Sequence, residues 1–282
     1  MPVLLARHLE GALAELRTHP ETQILAGGTD LMVAVNFGRL RPERVLAIDR
    51  LAELKDIRPG PRTRVGAGAT YTRILAEPSV SIALREAART VGSPQIRNAG
   101  TLGGNLATSS PAGDTLPVLA ALEATVVLRS QGGERRVPFA EFMTGPKRNV
   151  RRADELVVAA EWDDAGSAQT FVKVGTRNAM VIAVASLALV IDRARRRVGI
   201  ALGSCGPTIL RASDAERLAA GLLEEGGWER PLQPSAAAAA ELGRLVAEAA
   251  RPIDDVRGTA AYRRHVLAVV ARRAFERAAA IA

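Results

Sequence analysis

Apolar residues along the chain alternate between helical spacing and short runs that are typical of strands. Up to residue 133 the pattern predicts, in chain order, a helix over 8–19, strands at 24–25 and within 44–51, a strand leading into a helix over 63–75, a helix over 81–90, a loop over 91–114, a helix leading into a strand over 116–130, and a hairpin turn at 132–133. Glycines predict the turns between these elements. The first half of the chain therefore mixes helices and strands.

The pattern changes in the second half of the chain. Polar residues over 161–169 predict a link, and a new strand begins at Phe171. Residues 180–212 predict two further strands around an arginine-rich turn. The alanine-rich remainder predicts helices, the last of which has an apolar face opposite its arginines. We place a domain boundary at about 168, which gives domains 1–168 and 169–282.

The composition is that of a globular chain. It has 282 residues, of which 48% are hydrophobic and 24% charged, and this excludes a disordered or fibrous protein. Because Cys205 is the single cysteine, a disulfide framework and an iron–sulfur cluster held by this chain alone are excluded. The three histidines lie far apart, without metal-binding spacing. We predict no metal site in this chain and a structural role for Cys205.

The formal net charge of +8 comes almost entirely from arginine. Basic residues cluster at 147–152, 193–197, 263–264 and 272–273. A surface that binds nucleic acid would interleave aromatic residues, which make up only 3% of this chain. We therefore predict no nucleic-acid binding and interpret the clusters as a solvated arginine-rich surface. The alternative is a surface for an anionic partner.

The sequence predicts neither a secretory signal nor a membrane span. Its first residues lack a long apolar region followed by a small-residue cleavage site. No window reaches the roughly 18 uninterrupted apolar residues that a spanning helix needs, and the apolar segment 181–191 is too short. We therefore expect a cytoplasmic protein.

Two glycine-rich segments carry the strongest chemical signal. Residues 26–30 (AGGTD, the first glycine loop) follow a strand directly, and residues 100–105 (GTLGGN, the second glycine loop) lie in a long loop. Glycine lets backbone N–H groups approach a diphosphate, and Thr29 and Thr101 could add hydroxyl donors. Neither loop matches a standard nucleotide motif, so each alone could be a plain turn. Together they predict a shared diphosphate site.

Five segments in order carry a more specific pattern. They are ILAGGTDL (24–31), VGSPQIRNAGTLGGNLATSSPAGDTLPVLAALEA (91–124), FVKVGTRNAMVIAVAS (171–186), GSCGPTILRA (203–212) and DVRGTAAYRRHVLAVVARRAF (255–275). Their sequence resembles the FAD-binding medium subunit of the molybdenum hydroxylases, the group that contains carbon monoxide dehydrogenase and bacterial xanthine dehydrogenase. The likeness covers residues 3 to 280.

The resemblance implies an α+β fold. Its first part is an FAD-binding domain of the vanillyl-alcohol-oxidase or PCMH type. This domain has subdomains of about 1–60 and 61–168, with FAD between them. Its second part is a C-terminal α+β domain with a small antiparallel sheet. The cofactor-binding residues that it implies are Leu25, Ala26, Gly27, Gly28, Thr29, Asp30, Leu31, Thr101, Leu102, Gly103, Gly104, Asn105, Asp114 and Lys173.

The resemblance gives two of these residues individual roles. Asp114 matches an acid that binds the sugar hydroxyls or the adenine end of FAD, and a carboxylate can accept two such hydrogen bonds. Its alternative role, which is compatible with the first, is to cap the helix that follows. Lys173 matches a lysine near the pyrimidine end of the flavin, where a cation would stabilise the anionic reduced ring and raise its potential. The alternative is a surface lysine on a strand.

The resemblance further implies an oxidoreductase subunit that relays electrons. A small subunit would carry [2Fe–2S] clusters, a large subunit would carry the molybdenum cofactor and the substrate site, and the complex would be a dimer of heterotrimers. Electrons would pass through FAD in this chain to NAD⁺, oxygen or a quinone, and no residue here would be catalytic. The alternatives are a stand-alone FAD-dependent oxidase or reductase, and a non-catalytic nucleotide- or nucleic-acid-binding module, which would be colourless.

Overall fold

The computed structural model describes residues 2–281. The strands are β1 (Val3–Leu5), β2 (Gln23–Leu25), β3 (Val45–Ala47), β4 (Ile57–Arg58), β5 (Arg62–Gly66), β6 (Thr125–Ser130), β7 (Gly133–Pro138), β8 (Met143–Gly145), β9 (Arg148–Asn149), β10 (Leu156–Asp163), β11 (Gln169–Val174), β12 (Ala185–Asp192), β13 (Arg197–Gly203) and β14 (Leu210–Arg211). The helices are α1 (Leu9–Thr18), α2 (Leu31–Asn36), α3 (Tyr71–Ala76), α4 (Ile82–Thr90), α5 (Pro94–Ala99), α6 (Leu102–Thr108), α7 (Thr115–Ala121), α8 (Phe139–Phe142), α9 (Ser213–Gly226), α10 (Ala236–Ala249) and α11 (Ala260–Ala279).

A small parallel sheet forms the first part of the fold. Strands β1 and β2 flank β3, and both run parallel to it. Two parallel strands need a crossover connection, which α1 provides between β1 and β2. Leu9, Leu13 and Leu16 lie at helical spacing on the buried face of α1. The predicted helix and both predicted strands are therefore present, and β2 leads directly into the first glycine loop.

The second sheet is antiparallel and has the strand order β4-β5-β10-β6-β7. The central strand β10 continues to Asp163. The polar link that the sequence predicts over 161–169 therefore begins too early. The strand can include Glu161 because Arg64 and Arg136 bind its carboxylate. These two neighbours stabilise the ionised form, so the pKa of Glu161 stays below its ordinary value although burial opposes this.

The predicted loop over 91–114 is wrong, because it contains the helices α5 and α6. Ser93 caps α5 by accepting a hydrogen bond from the N–H of Ile96, and Pro94 occupies the first helical turn. Thr101 caps α6 in the same way, through the N–H of Gly104. The segment contains five glycines and three serines, which favour a loop, but the capping hydrogen bonds stabilise two short helices.

The C-terminal sheet has the order β11-β12-β13-β14 and is antiparallel, as predicted. Strand β12 is buried along its whole length because both faces are covered. Leu187 and Leu189 pack in the core formed with α9, α10 and α11, whereas Ala188 and Val190 pack in the core of the preceding domain. This accounts for a strand that is apolar on both faces.

Helix α11 differs from the predicted helix with arginines only on its solvent side. Arg263 is buried and donates hydrogen bonds to the carbonyl oxygen of Ser204 and to Asp255. Arg257 and Arg263 hold the pKa of Asp255 well below its ordinary range. Cys205 is buried, and burial raises the pKa of its thiol to about 12, in agreement with a structural role. Within residues 2–281, no helix combines the length and apolar character needed to cross a membrane.

The two halves of the chain make a close backbone contact where β13 meets α7. A Cβ atom added at Gly199 would lie 2.2 Å from the carbonyl oxygen of Ala121. We expect Gly199→Ala to lower the free energy of unfolding by about 1–3 kcal/mol, because the backbones must separate. Gly221→Ala is the matched control, since Gly221 faces open space in α9 and should gain about 0.5–1 kcal/mol. Urea denaturation measures both, and equal stability of the two variants would contradict the close contact.

Candidate functional site

A cleft of about 1030 Å³ lies between the first sheet, helices α5 and α6, and the loop after β11. The predicted site residues that line it are Ala26, Gly27, Gly28, Thr29, Asp30, Leu31, Thr101, Gly103, Gly104, Asn105, Asp114 and Lys173. Leu25 and Leu102 are not among its lining residues, and the Leu102 side chain is fully buried in the core. The cleft therefore collects both glycine loops and both of the individually predicted charges.

The first glycine loop touches the peptide that precedes the second one. A Cβ atom at Gly27 would lie 1.8 Å from the carbonyl oxygen of Ala99, so only glycine fits there. Gly28 has a φ of +71°, in the left-handed region that favours glycine. Within residues 2–281, the backbone N–H groups of residues 27–30 donate to no other residue. These N–H groups are available to an anion in the cleft.

The second glycine loop uses its glycines for a different purpose than predicted. The N–H of Leu102 donates to Ala69 and that of Gly103 to Ala67, at 3.0 and 2.8 Å. The N–H of Gly104 is bound by the Thr101 hydroxyl. A Cβ atom at Gly103 would lie 2.4 Å from that of Ala67, so glycine lets α6 pack against the strand side of the cleft. Within residues 2–281, the N–H of Thr101 is the one in this loop that donates to no other residue, so the loop forms a close wall of the cleft with one N–H available to a ligand.

Asp114 and Lys173 form a buried ion pair at one end of the cleft. The Lys173 ammonium lies 2.6 Å from Asp114 Oδ2 and also donates to the carbonyl oxygen of Thr90, 3.0 Å away. Thr90 is the last residue of α4, where the helix dipole favours a cation. The Thr90 hydroxyl donates to the same Asp114 oxygen. Burial raises the pKa of Asp114, while Lys173 and Thr90 oppose that rise.

This pair corrects two expectations. The lysine is not a surface lysine, because only 8% of its side chain is exposed. Asp114 precedes α7, but its side chain makes no capping hydrogen bond. Both residues line the cleft, and their contact joins the segment before α7 to β11 of the C-terminal sheet.

One oxygen of this pair lacks a partner. Asp114 Oδ1 is buried and accepts no hydrogen bond within residues 2–281. A buried carboxylate oxygen needs a donor, and a ligand hydroxyl is a suitable one. The cleft thus offers free N–H donors at the first glycine loop and an unsatisfied acceptor at Asp114. These groups fit a dinucleotide, because its diphosphate can accept from the N–H groups and one of its sugar hydroxyls can donate to Asp114.

The list of predicted site residues leaves out other residues of the cleft. Thr90 was given no role, and no local signal marks it, because its contacts to Asp114 and Lys173 come from distant parts of the chain. Tyr71 lines the cleft and is buried, and burial together with Asp114 raises the pKa of its hydroxyl. Lys147 also lines the cleft. Among residues 2–281, no group of three or more His, Cys, Asp or Glu side chains is placed to hold a metal ion.

The fold and the cleft define a two-part protein that binds a dinucleotide cofactor, and comparison with protein families identifies that cofactor as FAD. Residues 1–161 match the family described as the FAD binding domain in molybdopterin dehydrogenase. Residues 170–278 match the CO dehydrogenase flavoprotein C-terminal domain. The chain therefore belongs to the family of FAD-binding medium subunits of the molybdenum hydroxylases, as its sequence pattern predicted.

Individual relatives agree with this assignment. The chain is 31% identical to the glyceraldehyde dehydrogenase medium chain of Sulfolobus acidocaldarius, over 97% of this chain and 96% of the relative. It is 41% identical over 184 residues to the nicotinate dehydrogenase FAD-subunit of Eubacterium barkeri, a match that spans 62% of each protein. The reconstituted CO dehydrogenase from Oligotropha carboxidovorans contains a chain with the same fold, with a TM-score of 0.89, 25% identity and coverage of 100% of this chain and 98% of that chain. The predicted fold is confirmed.

The contact between the glycine loops can be tested at Gly27. We expect Gly27→Ala to weaken FAD binding by about tenfold or more, because overpacking of this kind costs about 1–3 kcal/mol and separates the loops. Gly60→Ala is the control, since a Cβ atom there meets only ordinary contacts. Flavin fluorescence during titration of the FAD-free chain measures both affinities. Full FAD affinity in Gly27→Ala would show that the loops do not need this contact.

The buried pair predicts a pH-dependent loss of stability in Lys173→Met. Without the ammonium, burial raises the pKa of Asp114 further above its value in the unfolded chain. Between these two pKa values the folded state holds a proton that the unfolded state lacks, so the free energy of unfolding falls as pH rises. We expect a loss of about 3 kcal/mol or more at pH 8 and a smaller loss at pH 5. Urea denaturation at both pH values checks this, and an equal loss at each would refute it.

Proposed function

We propose that this chain relays electrons from [2Fe–2S] clusters of a small partner subunit, through FAD in the cleft, to an external acceptor. In this proposal a large partner subunit holds the molybdenum cofactor and oxidises the substrate, and the complex is a dimer of heterotrimers. Family membership supports the proposal, as do relatives whose names describe medium chains and FAD-subunits of dehydrogenases. The chain would divide at about residue 168 into its FAD-binding and C-terminal domains.

The observation that carries the proposal is the single cleft that joins both glycine loops to the Asp114–Lys173 pair. When bound, FAD supplies both one-electron and two-electron redox chemistry. The N–H groups of residues 27–30 would hold its diphosphate, and Asp114 Oδ1 would accept a hydrogen bond from one of its hydroxyls. The remaining predicted site residues would complete the walls of the cleft.

Two charged side chains of the cleft, those of Lys173 and Arg151, are bound to other groups of the protein, and this favours a cofactor site over a substrate site. The Lys173 ammonium donates to Asp114 and to the carbonyl oxygen at the end of α4, so it is held in place within the protein. Arg151 also lines the cleft, but its guanidinium donates to the carbonyl oxygens of Arg152 and Glu155. These groups position a bound molecule and do not form a catalytic set.

The relay can be tested in the complete complex, purified with its companion subunits. After reduction of the iron–sulfur clusters, we expect the external acceptor to reoxidise them only when FAD is present in this chain. Complexes that carry Gly27→Ala, depleted of FAD, provide the comparison, and Gly60→Ala complexes are the control. Rapid reoxidation of the clusters without FAD would exclude the relay. Reduction of the flavin in the isolated chain by an organic substrate would favour a stand-alone oxidase or reductase.

A further inference from the structure

A short hairpin holds a lysine above the first glycine loop. Lys147 lies in the turn between β8 and β9, and its backbone N–H donates to the carbonyl oxygen of Ser109, 3.0 Å away. The Asn149 side chain donates to the carbonyl oxygen of Ala107 and to the Ser109 hydroxyl. The hairpin is thus attached to the end of α6, and the position of Lys147 is fixed relative to the cleft.

The backbone of Lys147 is strained. Its φ is +55°, in the left-handed region that residues other than glycine seldom adopt. Such strain persists where surrounding contacts impose it, and it is common at ligand-binding sites. Here the hydrogen bond to Ser109 and the two from Asn149 impose it. The strained turn places a cationic side chain at the wall of the cleft.

The ammonium of Lys147 faces the loop that offers free N–H groups. It lies 3.5 Å from Asp30 Oδ1, and both side chains are exposed. Asp30 immediately precedes α2 but makes no side-chain capping hydrogen bond. The Asp30–Lys147 pair therefore joins the first glycine loop to the hairpin across the mouth of the cleft.

An anion at the first glycine loop would lie beside the Asp30 carboxylate and be repelled by it. A neighbouring cation is needed to offset this repulsion. Four cations line the cleft: Lys55, Lys147, Arg151 and Lys173. Lys173 is bound to Asp114, and Arg151 is bound to backbone carbonyl oxygens. Lys147 is the lining cation whose contact with Asp30 places it at the loop itself.

We propose that Lys147 is a diphosphate-binding residue of the FAD site. In the structure its ammonium is paired with Asp30, and with FAD bound it would donate to a diphosphate oxygen held at the first glycine loop. A mobile lysine on a fixed hairpin can make both contacts, since its side chain is flexible and only weakly held at 3.5 Å. This inference rests on the proposed placement of the FAD diphosphate.

Titrations of the full-length, FAD-free chain test the proposal. We expect Lys147→Gln to bind FAD about tenfold more weakly than the wild type, the usual effect of losing a charged hydrogen bond. Arg148→Gln is the matched control, because Arg148 is the adjacent exposed cation and does not line the cleft. Lys147→Arg keeps the charge and should retain most of the affinity.

Fragments of FAD show which part of the cofactor Lys147 contacts. If Lys147 acts on the diphosphate, ADP should lose the same factor as FAD in Lys147→Gln, and riboflavin should lose nothing. The salt dependence of FAD binding should also become weaker. Unchanged FAD and ADP affinity in Lys147→Gln would overturn the proposal, as would a loss confined to Lys55→Gln, the remaining lysine of the cleft wall. A wild-type chain that binds no FAD would instead reject the proposed function.

Discussion

The close approach of two backbones at Gly27 is the constraint on which the site depends. The first glycine loop can lie against the peptide of Ala99 only because no side chain stands between them. This contact brings together loops that are about 70 residues apart in sequence. Within residues 2–281 the N–H groups of residues 27–30, which line the cleft, donate to no other residue. An anion is the ligand that such a group of donors favours.

The buried pair of Asp114 and Lys173 extends the same site into the C-terminal domain. Lys173 comes from β11, whereas Asp114 and Thr90 come from the preceding domain, so the end of the cleft exists only when both domains are docked. A buried pair of this kind contributes little net stability by itself, but the loss of either partner is costly. We therefore interpret it as a device that fixes the position of one carboxylate oxygen, Asp114 Oδ1, for a ligand.

The sequence predicted those parts of the fold that local chemistry determines. The helix α1, the glycine turn after β2 and the paired strands β12 and β13 follow from periodicity and turn residues. The sequence did not predict α5 and α6, because the glycines of this segment favour a loop and outweighed the signal of the capping residues Ser93 and Thr101. The contact of Asp114 with Lys173 spans 59 residues, and no spacing rule predicts it. The family resemblance predicted a set of site residues, most of which the structure places in one cleft, whereas only the structure showed which N–H groups lack a partner within residues 2–281.

The most direct measurement of the central claim is a crystal structure of the full chain with FAD bound. The account predicts diphosphate oxygens within hydrogen-bond distance of the N–H groups of residues 27–30, and a cofactor hydroxyl on Asp114 Oδ1. A diphosphate bound away from the first glycine loop, with those N–H groups facing only solvent, would contradict it.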